Sequence, residues 1–149
     1  MTTENHNAIV GQGHRVGLFS IGLEAYWSQF SGLRERLEAY NAAIAERLTG
    51  YGVDVLNLGM IDTPEKAMAA GHGFRQGDVD LIFLHVATYA LSSTVLPVVR
   101  RAKVPVILLN LSPQAAIDYE VFNRMPDRTE PWIRSAGRAL LNSGLRCHR

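Results

Sequence analysis

The sequence predicts an α/β fold: a three-layer, doubly wound parallel sheet with strand order 2-1-3-4. Two observations predict it. Four short apolar runs alternate with segments that carry helical spacing or helix-start signals, the pattern of successive βαβ units. The first run is continuous in apolar residues, as suits a parallel strand buried on both faces. At 149 residues and 47% hydrophobic content, the chain is large enough for one domain with a real core.

The elements follow in order. Residues 1–13 are polar and glycine-containing and read as a disordered arm. Arg15-Val-Gly-Leu-Phe-Ser-Ile21 is the first strand, ended by Gly22. From Ser31 to Thr49, Leu33, Leu37, Tyr40, Ile44 and Leu48 form one apolar stripe, so a helix is expected there. Ser31 is the expected cap, Gly50 and Gly52 the expected stop, and Arg34 with Glu38 an i,i+4 pair on the outer side. Val53-Asp-Val-Leu-Asn-Leu58 is the second strand. Asp62-Thr-Pro-Glu65 predicts a helix start, with Thr63 as cap, Pro64 first in the helix and Glu65 at its positive end; the helix runs to about Arg75. Val79 to His85 is the third strand. Ser92 to Lys103 is the third helix, with Pro97 expected near its first turn and basic residues in its last. Val104 to Asn110 is the fourth strand.

Composition excludes several classes. The formal net charge is +1, so nucleic acid is not an expected partner. One cysteine, Cys147, excludes an intramolecular disulfide and a cysteine-rich metal site. No apolar run approaches the ~20 residues of a membrane span, and the N-terminus shows no signal peptide, so a cytoplasmic location is expected. The charge is uneven. Residues 1–129 hold 11 basic and 13 acidic residues, whereas 130–149 hold four arginines and one glutamate. The chain thus reads as a domain over 14–129 and a basic tail over 130–149.

Open parallel sheets bind ligands beyond the carboxyl ends of the strands, where strand order reverses. Here that point lies between the first and third strands. The segments leaving them, Gly22-Leu-Glu-Ala-Tyr-Trp27 and His85-Val-Ala-Thr-Tyr89, carry groups suited to a polyol. Aromatic faces pack on sugars, and acids and hydroxyls bond sugar hydroxyls. The candidate substrate contacts are Glu24, Tyr26, Trp27, His85, Thr88 and Tyr89, with Asn110, Ser112 and Gln114 extending the rim. Each has a structural reading beside the functional one: Glu24 as a solvated loop acid, Tyr26 and Trp27 as packing residues, His85 as a satisfied core histidine. Gly11-Gln-Gly-His-Arg-Val-Gly17 precedes the first strand and lacks dinucleotide-fingerprint spacing. No P-loop or Gly-x-Ser-x-Gly elbow is present. Glu24 and His85 are too few to define a metal site, and Cys147-His148 lies in the tail.

Val16-Gly-Leu-Phe-Ser-Ile-Gly-Leu-Glu-Ala-Tyr-Trp27, followed by Gln29-Phe30, resembles the opening strand and loop of the L-arabinose/L-fucose isomerase superfamily. Asp62 to Ala67, Val79 to His85, Thr88 to Ser93, Ala102 to Pro105, Ala116 to Glu120 and Phe122 to Arg124 continue the resemblance in order. It covers about 14–129 and stops near Thr129. It implies a Rossmann-like, flavodoxin-like N-terminal domain of an aldose–ketose isomerase. Family enzymes use a divalent metal, usually manganese, to polarise the carbonyl, with carboxylates as acid and base. Their metal ligands lie in later domains, so no cofactor and no catalytic residue are expected in this chain, and the chain alone is expected to be inactive. The domain is expected to supply sugar contacts and to pack in a homo-oligomer or against a catalytic chain. Glu24, Tyr26, Trp27 and His85 occupy the family's contact regions; Glu24 stands where arabinose isomerases carry glutamine. The coincidence of the charge change with the end of the resemblance implies a truncated or frame-shifted product. The alternatives are a non-catalytic sugar-binding or regulatory module and an interaction domain for a separate catalytic chain.

Overall fold

In the computed structural model, which describes residues 13–111, the apolar runs pair as one sheet. The strands are β1 (Arg15–Ile21), β2 (Asp54–Ile61), β3 (Leu81–Val86) and β4 (Val106–Leu109). All neighbours are parallel and the order is β2-β1-β3-β4, as the sequence predicts. The helices are α1 (Leu33–Gly50), α2 (Pro64–Gln76) and α3 (Ser92–Ala102). The arm before residue 13, the segment past 111 and the tail over 130–149 lie outside the described residues.

Strand alternation sorts the side chains into two layers. Phe19 and Ile21 of β1, Ile82, Leu84 and Val86 of β3, and Ile61 of β2 face α2 and α3, where Ala67, Ala70, Phe74, Val95 and Val98 complete the larger core. Phe19 and Phe74 meet as a tilted pair with centroids 5.8 Å apart. Gly71 lets the two helices approach closely: a Cβ there would sit 2.9 Å from the Pro97 carbonyl and from Arg101 Cβ. On the other face, Leu33 and Leu37 of α1 pack with Met60 and Ala87, flanked by Tyr26, Trp27, Phe30 and Tyr40.

Local chemistry explains the ends. Thr63 caps α2 by accepting from the Lys66 N–H at 3.3 Å, and Pro64 is the first helical residue, as expected. Four expectations need correction. Ser31 does not cap α1; Gly32 holds the N-cap position with φ 77°, a left-handed backbone that glycine adopts freely. The buried line of α1 is Leu33, Leu37 and Asn41, with Tyr40, Ile44 and Leu48 half-buried beside it. Pro97 is the sixth residue of α3, a turn deeper than expected. It deprives the Ser93 carbonyl of a donor, and Ser93 is exposed to water. Finally, β2 continues to Ile61: a bulge between Asn57 and Met60 interrupts the ladder, and pairing with β1 resumes at Ser20↔Met60.

Candidate functional site

The order β2-β1-β3-β4 places the reversal between β1 and β3, and the loops leaving these strands are stitched together there. The N–H groups of Ala87 and Thr88 both donate to the Ile21 carbonyl at 3.3 Å. The fully buried Thr88 accepts the Leu23 N–H on Oγ1 at 3.0 Å and donates to the Tyr89 carbonyl at 3.0 Å. Thr88 is therefore the clamp between the two loops, a specific role for a residue the sequence marks only as a candidate contact.

The other predicted residues divide into rim and support. Glu24 opens a single 3-10 turn, Glu24–Tyr26, and is exposed. Tyr89 is 42% exposed at the mouth of the opposite loop. Tyr26 is half-buried and meets Phe30 edge-on, with centroids 5.6 Å apart. Trp27 lies against Gly22 and Met60, and its Nε1–H donates to Asp62 Oδ2 at 2.8 Å. Tyr26 and Trp27 thus brace the loop from below. Asn110 is exposed just past β4, while Ser112 and Gln114 lie outside the described residues.

Asp62 is the first organiser that the sequence marks only as part of a helix start. Its side chain is buried, accepts from Lys66 Nζ at 2.6 Å as well as from Trp27, and has Arg34 at 3.9 Å. Burial pushes its carboxyl upward, but Lys66, Trp27 and Arg34 together hold it below its ordinary value. The ionised Asp62 joins the loop after β1 to the start of α2.

The second organiser is a buried polar chain ending at His85. Ser20 pairs with His85 in the β1–β3 register, and Ser20 Oγ lies 2.9 Å from His85 Nδ1. Asn41 of α1 donates through Nδ2 to Ser20 Oγ at 2.8 Å, and Asn57 of β2 donates through Nδ2 to Asn41 Oδ1 at 2.6 Å. Asn57 Oδ1 in turn accepts the Gly59 N–H at 2.9 Å. His85 is 4% exposed, and burial lowers its pKa to about 4, so the ring is neutral at pH 7. Among the described residues the ring's one hydrogen bond is at Nδ1, and no fully buried side-chain nitrogen or oxygen lacks a partner. The sequence shows Ser20 and Asn41 only as polar residues inside apolar patterns, and that interruption is the signal that could have found them.

Among the described residues, no group of three or more His, Cys, Asp or Glu side chains is placed to hold a metal ion. No helix there is long and apolar enough to cross a membrane. An open groove of about 860 Å³ on the α2–α3 pair is lined by Met68, Leu96, Arg75, Arg100 and Arg101 among others and contains none of the six predicted residues. Compared with models of known protein families, the sequence matches none, and comparison with characterised proteins likewise finds no match.

Proposed function

We propose that this chain is a sugar-binding α/β domain of the kind that opens L-arabinose/L-fucose isomerase-like enzymes. Its role is to contribute sugar contacts and subunit packing to an aldose–ketose isomerase assembly. The observation that supports the reading is the pair of loops leaving β1 and β3, hydrogen-bonded to each other where the strand order reverses. Glu24 and Tyr89 are exposed on these two loops, the neutral His85 is buried near the end of β3, and Tyr26 and Trp27 are half-buried against the α1 side of the sheet. A neutral polyol suits this arrangement, because it needs hydrogen-bond partners and apolar faces more than a strong counter-charge.

Manganese does not fit on the described residues. Glu24 is exposed, the Nδ1 of His85 is engaged by Ser20, and no third ligand stands near them. The metal chemistry of such an assembly belongs to residues other than these. The purified chain is expected not to isomerise sugars by itself. Calorimetric titration with L-arabinose and L-fucose, with and without manganese, tests the reading. Metal-independent binding supports it; conversion of aldose to ketose by the isolated chain with manganese contradicts it.

A further inference from the structure

The polar chain beneath the crevice has a direction, and that direction determines which nitrogen of His85 carries the proton. A backbone N–H can only donate, so the Asn57 atom that meets the Gly59 N–H is its carbonyl Oδ1. Asn57 must then present its NH₂ to Asn41, whose Oδ1 accepts it. Asn41 therefore presents its own NH₂ to Ser20. With Oγ already accepting, the Ser20 O–H has His85 Nδ1 as its acceptor. Nδ1 is then the unprotonated nitrogen, and the ring hydrogen sits on Nε2. Among the described residues Ser20 has no other side-chain hydrogen bond, so the opposite tautomer would leave its hydroxyl proton without an acceptor there, a desolvation cost that the Nε2–H tautomer avoids.

The anchor of this chain is backbone geometry. Gly59 lies within the bulge of β2 and has φ 71°, a left-handed conformation, and its N–H donates to the side chain two residues back. Asn57 is itself exposed on the edge strand, so the information runs from the surface bulge, through α1, to the interior end of β3.

We propose that Gly59, Asn57, Asn41 and Ser20 hold His85 as its Nε2–H tautomer, making the ring a fixed hydrogen-bond donor to an oxygen of a neutral polyol in the crevice. The ligand part rests on the sugar-binding reading above; the tautomer part does not. Ser20, Asn41 and Asn57 are positioning residues, and His85 is the residue that meets ligand. A nitrogen that carries hydrogen has no lone pair for a metal, so His85 acts here as a donor and not as a ligand to a cation.

The test is nitrogen-15 NMR of the histidine rings in the full chain, without ligand. The wild type is expected to show His85 protonated on Nε2 with Nδ1 as acceptor. Asn57→Asp replaces the donor by a carboxylate, which accepts from both Gly59 and Asn41. Asn41 must then turn its Oδ1 toward Ser20, Ser20 donates to Asn41, and the His85 proton moves to Nδ1. Because position 57 is exposed, the carboxylate meets water and the variant is expected to fold. A wild-type ring protonated on Nδ1, or a folded Asn57→Asp variant with an unchanged tautomer, overturns the proposal. Titration with L-arabinose separates the two readings. With the Nε2–H tautomer in place, loss of about tenfold in affinity in Asn57→Asp supports the donor role. Equal affinity in both proteins overturns that role, and no binding to either overturns the sugar reading while the tautomer result stands.

Discussion

Ser20 and His85 face each other across adjacent parallel strands, 2.9 Å apart from Oγ to Nδ1, with Ser20 fully buried and His85 nearly so. Both partners belong to the interior polar chain, and His85 is the next-to-last residue of β3, just before the loop that meets the one leaving β1.

Its burial predicts a pH dependence of stability. The folded pKa of His85 is about 4 against an ordinary 6.5. Between those values the unfolded chain binds a proton that the folded chain refuses, so stability falls as pH is lowered from about 6.5 to about 4. Over the whole window the loss is about 3 kcal/mol. Urea midpoints at pH 7 and pH 4.5 measure it; in His85→Gln, which does not titrate there, the slope over this window is expected to flatten.

Asp62 acts in the other direction of protonation. Its depressed pKa means that its contribution is present above the ordinary carboxylate range and is lost as pH falls through its folded value. Lys66→Ala removes its nearest cation. Because Lys66 is 43% exposed and Trp27 and Arg34 remain, the expected cost is about 1–2 kcal/mol at pH 7. Comparison of both proteins by chemical denaturation is expected to show a smaller difference at pH 3, where Asp62 is closer to neutral.

Thr88→Val tests the clamp between the two loops. The shape is conserved, but the Leu23 N–H loses its acceptor. A destabilisation of about 1–3 kcal/mol is expected. Hydrogen exchange is expected to show faster exchange at the Leu23 amide while the β1–β3 ladder stays protected. Unchanged protection at Leu23 would remove Thr88 from that role.

Gly71→Ala tests the α2–α3 contact. Alanine gains about 1 kcal/mol of helix propensity over glycine. Against that, the new Cβ lies 2.9 Å from the Pro97 carbonyl, a backbone atom that cannot swing aside. Overpacking of this kind costs about 1–3 kcal/mol, so net destabilisation is expected in thermal melts.

Much of the fold is legible in the sequence. The runs beginning at Arg15, Val79 and Val104 mark strands because a buried parallel strand needs nearly continuous apolar side chains. Thr63-Pro64 marks a helix start because both residues act locally. The extension of β2 past Leu58 is not legible, since it depends on a bulge that only the β1 partner defines. The position of His85 at the end of a strand is readable, but its partners are not. Ser20, Asn41 and Asn57 come from two strands and a helix, and only register and helix rotation bring them into line. Asn41 nevertheless stands four residues after Leu37, on the buried line of α1, where a polar side chain needs a partner.

Sugar binding at the loops leaving β1 and β3 is what we propose for this chain. The most direct measurement is a backbone-amide NMR titration of the full chain with L-arabinose and L-fucose, without metal. Saturable shifts concentrated at Leu23, Glu24, Thr88 and Tyr89 are expected, absent in a folded His85→Phe variant. No shifts with either sugar, or shifts confined to the α2–α3 groove around Arg100 and Arg101, would contradict it.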